Sequence, residues 1–265
     1  MRTLLLVSLW VVSLAGQVQA WGPEGHVVIA MVAEDRLSPA TRQAARKILS
    51  GATLATAAIF ADEYRVTHPE TSRWHFVDVP YEEATYSETR DCEVQVSGDC
   101  VIRAIERAKT MIKDPATKFF DRADALKYLV HFVGDLHQPF HAITRKQPDG
   151  TGDEGANKVN VTFFGDHTNL HAVWDSGLIL HTGRTAEDYA TFLKENQLAG
   201  MSETVWRSGT LVDWAVESHD AAKLAYVDNG AVLGQSYFDA QIGVVDKRLA
   251  LAAARLALIL EELLN

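Results

Sequence analysis

The segment VHFVGDLHQPFH, residues 130–141, places three histidines and one aspartate among apolar residues. The apolar spacing predicts a helix in the core, where a polar side chain is tolerated only when it has a partner. His131 and Asp135 are four residues apart, so they project from one face of that helix and could bind one ion. Pro139 interrupts the helix and lets His141 turn toward the same region. The chain must therefore fold around a helix that carries imidazole and carboxylate groups into its interior.

The same spacing recurs at His171 and Asp175 in TNLHAVWD, again in an expected helix. Imidazole and carboxylate groups are typical zinc ligands, and a helix that presents them four residues apart forms half of a zinc site. Asp62 in FADEYR and His75 in RWHFVD could complete the first site. A single histidine in an apolar helix is usually a hydrogen-bonded core residue, but two such pairs favour metal binding. No ligand role is assigned to Glu24, His68, His137, His167, His181 or His219.

The first twenty residues have the pattern of a secretory signal peptide. Arg2 precedes an apolar run that ends at the small residue Ala20, which suits cleavage there. A membrane anchor is the weaker alternative, because the run is short for a bilayer. We therefore expect an exported protein, periplasmic or secreted, that consists of a signal peptide (1–20) and one domain (21–265).

Export has two chemical consequences. Cleavage after Ala20 would free the α-amine of Trp21, which with its carbonyl oxygen could chelate a metal ion close to His26. Disulfides persist outside the cytoplasm, so Cys92 and Cys100 are expected to pair. Free thiols that act as metal ligands are the less favoured alternative in that compartment.

The composition and periodicity predict a single, mostly α-helical domain. The chain has 265 residues, is 47% hydrophobic and shows no repeat or linker, so it can bury one core. Ser38 and Pro39 predict a helix start, and Gly51 suits its end. A buried helix is expected from about Tyr237 to Leu264. Only residues 74–79 and 158–164 have an extended pattern, which allows a small β-hairpin at most.

The charge limits the nucleic-acid partners that this chain can bind. The formal net charge is −10, which argues against a broad basic surface for duplex DNA. Metal ions could still supply positive charge locally. An enzyme that acts on nucleic acid through bound cations therefore stays compatible with the composition.

Seven motifs follow one another along nearly the whole chain after residue 20: WGxxGH, ADxxR, WHFVD, HFVGDLHQPFH, GAN, TNLHAVWD and WAVES. In this combination the chain resembles the nuclease S1/P1 family of exported, zinc-dependent endonucleases that prefer single strands and also act as 3′-nucleotidases. The resemblance implies an almost entirely helical fold and three Zn²⁺ at the base of a cleft. The implied zinc ligands are Asp62, His75, His131 and Asp135 for the first ion, Trp21, His26 and Asp135 for the second, and His141, His171 and Asp175 for the third.

The resemblance also implies the contacts to substrate. These are Phe76 for base stacking, Asp78 and Asn157 for the base edge, the Gly155 backbone for its flank, and Arg65 for the scissile phosphate. Ala156 stands where many relatives have glycine, so we expect it to crowd the base-binding wall. The implied reaction is attack on phosphorus by water between two zinc ions, with Asp62, Arg65 and Asp135 at the reacting centre and 5′-phosphorylated products. The implied partners are single-stranded DNA and RNA and 3′-nucleotides, bound by a monomer with no stable membrane association.

Two alternatives stay open from the sequence. A zinc phospholipase C is similar in fold and metal cluster, although its last carboxylate is typically glutamate where this chain has Asp175. A noncatalytic zinc-binding protein would need the ligands without a stacking aromatic residue such as Phe76.

Overall fold

The computed structural model describes residues 21–114 and 116–265, apart from the side chains at positions 119 and 120; the predicted signal peptide and its cleavage site lie outside these residues. The described part is mostly α-helical, as predicted. Its helices are α1 (Pro23–Arg36), α2 (Pro39–Ile48), α3 (Leu54–Ala57), α4 (Phe60–Arg65), α5 (Glu88–Asp91), α6 (Val101–Lys113), α7 (Phe119–His137), α8 (Leu170–Ala172), α9 (Leu178–His181), α10 (Ala186–Leu193), α11 (Glu203–Arg207), α12 (Leu211–Ala225) and α13 (Gln235–Leu264). Short 3-10 turns span Pro69–His75 and Pro139–His141, and π-helical turns span Val173–Gly177 and Lys194–Leu198.

Helix α2 begins and ends where its sequence predicts. The Ser38 side chain accepts a hydrogen bond from the backbone N–H of Thr41, and Pro39 occupies the first helical position. Gly51 has φ +95°, and its N–H donates to the carbonyl of Arg46 at 2.7 Å. Glycine adopts this left-handed conformation without steric cost, so it closes the helix.

Helices α7 and α13 form the centre of the molecule. Helix α7 packs against α1, α6, α12 and α13, while α13 also packs against α1 and α2. Side chains such as Leu129 and Val133 of α7 and Leu249 and Leu256 of α13 are fully buried, as the apolar pattern predicts. No helix in the described part of the chain is long and apolar enough to span a membrane.

A small sheet lies at one edge, in the strand order β2-β1-β3. Strands β1 (Asn160–Phe163) and β2 (Asp166–Asn169) form the antiparallel hairpin, and β3 (Ala231–Leu233) adds a parallel strand to β1. The extended pattern at 158–164 is therefore confirmed, and the sheet is one strand larger than the expected hairpin. Three residues are too few for alternation to reveal β3 in the sequence.

The extended prediction for residues 74–79 was wrong. His75 ends a 3-10 turn, and the residues after it contact the chain beyond α7: Val77 N–H donates to the His141 carbonyl at 2.8 Å, and Thr144 N–H donates to the Val79 carbonyl at 2.9 Å. The segment thus pairs with an irregular chain and not with a neighbouring strand. Its alternation reflects burial on one side, which periodicity alone cannot distinguish from a strand.

Candidate metal centre and substrate cleft

Five buried side chains from different elements meet beside α7. His26 comes from α1, Asp62 from α4 and His75 from the 3-10 turn, while His131 and Asp135 lie one turn apart on α7. Their ligand atoms form two overlapping groups that could hold metal ions, one with His26, Asp62 and His131 and one with His75, His131 and Asp135. The structure thus brings together side chains spread over 110 residues of sequence.

Asp135 faces both sides of this cluster. Its Oδ1 lies 3.2 Å from Nε2 of His26, while its Oδ2 lies 3.0 Å from Nδ1 of His75 and 3.3 Å from Nε2 of His131. Burial would raise the pKa of Asp135, but His131, His26 and His75 hold it well below the usual range. An ionised carboxylate with its two oxygens on different histidines is suited to bridge two cations.

These five side chains, His26, Asp62, His75, His131 and Asp135, form the first cluster. Some of its ligand atoms have no hydrogen-bond partner among the described residues. Both ring nitrogens of buried His26 and Oδ1 of both Asp62 and Asp135 make no hydrogen bond among the described residues. A buried polar atom without a partner is costly. These groups therefore fit bound cations better than they fit one another.

A glycine allows His26 to reach this position. A Cβ atom at Gly134 would lie 2.8 Å from Nδ1 of His26, so any larger residue in this turn of α7 would push the imidazole away. The His26 ring instead stacks on His131, with ring centroids 3.8 Å apart. The sequence analysis missed Gly134, although glycine inside an apolar helix signals a close approach.

A third group is formed by His141, His171 and Asp175, which follow α7 in the chain. Nε2 of His171 lies 3.1 Å from Nε2 of His141 and 3.2 Å from Asp175. The other ring nitrogen of each histidine contacts a backbone carbonyl, that of His75 for His141 and that of Gly155 for His171. Because a carbonyl only accepts, each Nδ1 carries the proton in the neutral ring, and the two Nε2 lone pairs face each other.

Gln138 positions this third group and was missed from the sequence. Its amide Nε2 donates to Asp175, and its Oε1 accepts from the backbone N–H of Phe140. Burial raises the pKa of Asp175 to about 6, although His171 and Gln138 lower it. A glutamine between two ligand segments orients the carboxylate, as the outer groups of metal sites commonly do.

A cleft of about 450 Å³ opens beside the His141 and His171 side chains. All five side chains or backbone positions predicted to contact substrate line it: Arg65, Phe76, Asp78, Gly155 and Asn157. Arg65 Nη2 lies 3.1 Å from Oδ1 of Asp62. The cleft thus joins a guanidinium, an aromatic ring and hydrogen-bonding groups to the candidate metal ligands.

The expectation that Ala156 crowds the base-binding wall was wrong. Ala156 is fully buried and is not among the residues that line the cleft. Its distinctive property is its backbone, since Glu154, Gly155 and Ala156 all have positive φ, between +56° and +64°. This left-handed turn carries the Gly155 carbonyl to Nδ1 of His171, at 2.6 Å. The strained turn therefore supports the candidate ligand His171, while its residues Glu154 and Gly155 also line the cleft.

Trp21 and Gly22 lie beside the third group. Trp21 is fully buried, and the N–H of Gly22 donates to the carbonyl of Asp175 at 2.7 Å. Ala20 precedes Trp21 in the sequence, so the Trp21 nitrogen is a peptide nitrogen until the chain is cleaved between them. Chelation by a freed Trp21 amine therefore stays a prediction.

The remaining sequence predictions concern cysteine and His137. Cys92 and Cys100 form a disulfide, as expected.

His137 is buried away from both clusters, with Nε2 3.0 Å from Nη1 of Arg255 and Nδ1 donating to the Val133 carbonyl. Its exclusion from the ligands is confirmed, because its contacts belong to the packing of α7 on α13.

A helical fold with buried histidine and aspartate groups beneath an aromatic-lined cleft has the architecture of a metal-dependent enzyme. The family model described as S1/P1 Nuclease matches residues 21–265, and the chain belongs to that family. It is 32% identical to Nuclease PA3 of a Penicillium species and to Nuclease P1 of Penicillium citrinum, in both cases over 89% of this chain and 95% of the relative. It is 31% identical to Endonuclease 4 of Arabidopsis thaliana, over 92% of this chain and 89% of the relative. The chain is therefore a nuclease, a hydrolase of phosphodiester bonds in nucleic acid.

Proposed function

We propose that the protein is an exported zinc-dependent nuclease that prefers single-stranded DNA and RNA, releases 5′-phosphorylated products and also acts on 3′-nucleotides. The observation that carries this proposal is the pair of Nε2 atoms of His141 and His171, 3.1 Å apart. Each of these rings donates its other N–H to a carbonyl, so two lone pairs and the Asp175 carboxylate converge on one point. Imidazole with carboxylate favours zinc over magnesium, which prefers oxygen ligands.

We assign one ion to each of three proposed ligand sets. The first set is Asp62, His75, His131 and Asp135, the second is Trp21, His26 and Asp135, and the third is His141, His171 and Asp175. Three Zn²⁺ carry six positive charges against three ligand carboxylates. The cleft would therefore attract phosphate even though the whole chain is acidic.

The side chains divide the work of phosphodiester hydrolysis. Bound divalent ions would supply Lewis acidity for the phosphoryl oxygens and the attacking water. Arg65 lines the cleft beside Asp62, where its guanidinium can donate to phosphoryl oxygens as negative charge develops. The Asp62 carboxylate would hold the Arg65 guanidinium in a fixed position, and the carboxylates of Asp62 and Asp135 would do the same for the bound cations.

Single-strand preference follows from the aromatic wall of the cleft. Phe76 lines it together with Asp78, Asn157 and the Gly155 backbone. A base can stack on Phe76 only when it is unpaired, and such stacking contributes about 1–3 kcal/mol per base. Stacking also disfavours the phospholipase alternative, because a lipid head group has no planar base for these residues.

A substrate panel tests the proposal directly. The purified mature protein is incubated with single-stranded DNA, RNA, 3′-AMP and phosphatidylcholine, with and without a chelator, and its metal content is measured. We expect about three zinc ions per chain and chelator-sensitive cleavage of all substrates except the lipid. Cleavage of the lipid alone would establish the phospholipase reading, and zinc without any hydrolysis would establish the noncatalytic one. A single zinc per chain would contradict the three-ion assignment.

The export proposal has its own test. The N-terminal sequence of the protein recovered from the periplasm or medium should begin at Trp21. A protein that retains residues 1–20 would contradict both export by cleavage and chelation by the Trp21 amine. Size-exclusion chromatography of the purified protein tests the expected oligomeric state, and we expect elution as a monomer.

A further inference from the structure

Arg73 is a charged residue that lines the cleft beside the groups proposed to bind the base. It lies in the 3-10 turn Pro69–His75, and its side chain lines the same cavity as Phe76 and Asp78. Its Nη1 lies 3.4 Å from Oδ2 of Asp78, and its guanidinium carbon lies 5.3 Å from the centre of the Phe76 ring. The guanidinium is therefore in contact with two of the groups proposed to bind the base.

The disulfide loop holds Arg73 in place. Its backbone N–H donates to the carbonyl of Ser97 at 2.9 Å, and its Nε donates to the carbonyl of Asp99 at 3.3 Å. The Asp99 side chain is in turn paired with Arg107. These contacts leave Nη2 of Arg73 without a hydrogen-bond partner among the described residues. A guanidinium oriented by its backbone and Nε, with free donors in a cleft, is prepared for a ligand.

Arg73 and Asp78 together present donors and acceptors side by side. Guanine matches this pattern: its O6 and N7 accept from an arginine fork, and its adjacent N1–H and N2–H donate to a carboxylate. Adenine reverses it, since its N6 amino group would face the arginine donors and its N1 acceptor would face the carboxylate. The amide of Asn157 donates to the Glu154 carbonyl, which leaves its Oδ1 as a further acceptor.

We propose that Arg73 is a specificity-determining residue that, with Asp78, makes the base pocket of this nuclease prefer guanine over adenine. The proposal rests on the nuclease function and the base site argued above. It concerns the base that stacks on Phe76, and so predicts which nucleotides are bound most tightly beside the cleaved bond.

Calorimetric titration with 5′-GMP, 5′-AMP and 5′-IMP tests this preference on the full mature protein with its metal. At about pH 7.5 the Asp78 carboxylate is ionised, and we expect 5′-GMP to bind about tenfold more tightly than 5′-AMP. 5′-IMP lacks the N2 amine but keeps O6, N7 and N1–H, so its affinity should lie between the two. This comparison requires no substitution and is independent of any folding defect.

The variant Arg73→Met removes the donors while keeping a long apolar side chain. It should weaken 5′-GMP binding by about tenfold and leave 5′-AMP nearly unchanged, so that the two affinities agree within about twofold. Arg207→Met is the matched control, because Arg207 is exposed, forms an ion pair with Glu203 and does not line the cleft; it should keep the preference. Equal melting temperatures of the variants establish that folding is intact.

Two results would overturn the proposal, and a separate activity assay distinguishes them from a failure of the nuclease function. Equal affinity of the unaltered protein for 5′-GMP and 5′-AMP, or an equal effect of Arg73→Met on both, overturns the role of Arg73. Cleavage of single-stranded DNA by the same preparation measures the proposed function separately. Protein that cuts DNA without a guanine preference overturns only the base inference, whereas inactive protein that still prefers 5′-GMP supports the base site and overturns the proposed nuclease mechanism.

Discussion

Asp135 is the residue on which the first metal cluster depends, because its two oxygens lie against different histidines. We predict that Asp135→Asn lowers the zinc content from about three to about one and the activity by more than about 100-fold, since even the outer partners of metal ligands contribute 10- to 100-fold. Metal analysis and cleavage of single-stranded DNA measure both effects. Asp166→Asn, at an exposed strand position, is the control and should retain metal and activity. Full zinc content in Asp135→Asn would contradict the bridging role.

A second prediction concerns substitutions in the left-handed turn at residues 154–156. A Cβ atom at Gly155 would lie 2.2 Å from the carbonyl oxygen of Phe140, so Gly155→Ala should lower the free energy of unfolding by about 3 kcal/mol or more. Ala156→Gly should change it by less than about 1 kcal/mol, because relief of the positive φ offsets the lost methyl group and the added chain entropy. Urea unfolding measures the free energy of unfolding of both variants. Similar stabilities would show that the turn can relax.

The ionisation of the Asp78 carboxyl group should make the base preference depend on pH. Burial raises the pKa of Asp78 to about 6; Arg73 lowers it, while Asp153 and Asp91 raise it further. Below that pH the neutral carboxyl group can donate to N1 of adenine and accept from N6, and above it the carboxylate only accepts. The ratio of 5′-GMP to 5′-AMP affinity should therefore rise between about pH 5 and 7.5. A pH-independent ratio in titrations across this range would contradict the prediction, and Asp78→Asn should remove the change.

The candidate ligands could be named from the sequence, whereas several residues that support them in the structure could not. His131 with Asp135 and His171 with Asp175 lie four residues apart on helices, so local geometry alone puts each pair on one face. Gly134 and Gln138 act across the fold, on His26 and on Asp175. No local spacing encodes such contacts, because they depend on where α1 and the segment after β2 pack against α7.

At the scale of elements, the end of α7 is held by a buried network from α12 and α13. Arg255 donates to both oxygens of Glu217 at 2.7 and 2.8 Å and lies 3.0 Å from His137, while Arg248 donates to the His137 carbonyl at 3.0 Å. These contacts fix the helix end just after Asp135 and before Pro139. The position of His141 relative to the first cluster therefore depends on α13 as well as on α7.

Removal of one member of this network should be costly. We predict that Arg255→Met lowers the free energy of unfolding by about 2–4 kcal/mol, because it leaves Nε2 of His137 without its partner and leaves the half-buried Glu217 with Arg248 alone. Chemical denaturation measures this, with Arg207→Met as an exposed control that should change stability by less than about 0.5 kcal/mol. Recovery in the double variant Arg255→Met/Glu217→Met would support the pairing. A stability equal to that of the unaltered chain would show that the network is dispensable.

Elements were predictable where a long local pattern specifies them. Helices α2 and α13 follow from a capping serine with proline and from a sustained apolar run. Residues 74–79 also alternate, yet their backbone hydrogen bonds go to His141 and Thr144. Their conformation is decided by the partner segment, which lies more than 60 residues away in sequence, and a short alternating pattern carries no information about that partner.

Across the whole molecule, the metal ions and the fold should stabilise each other. Burial of the His141, His171 and Asp175 side chains, and of the His26 ring nitrogens that have no hydrogen-bond partner among the described residues, opposes folding when no cation is present. Zinc at about 1,000 times its dissociation constant should raise the free energy of unfolding by about 4 kcal/mol. Unfolding curves with zinc and with a chelator test this, and added zinc should restore the loss. Coincident curves would mean that the clusters do not bind metal in the folded protein.

The sequence by itself determined the helical class, the individual helix-borne ligand pairs and the membership of residues 62, 75 and 26 in a set of candidate ligands. Only the tertiary structure decided that the Asp135 oxygens face different histidines, that Ala156 is buried in the turn that supports His171 and does not line the cleft, and that Arg73 contacts Asp78 and Phe76. The physical reason is the distance along the chain over which each interaction acts. Helix geometry and capping act over a few residues, whereas the shape of the cleft depends on how distant helices and loops pack around α7.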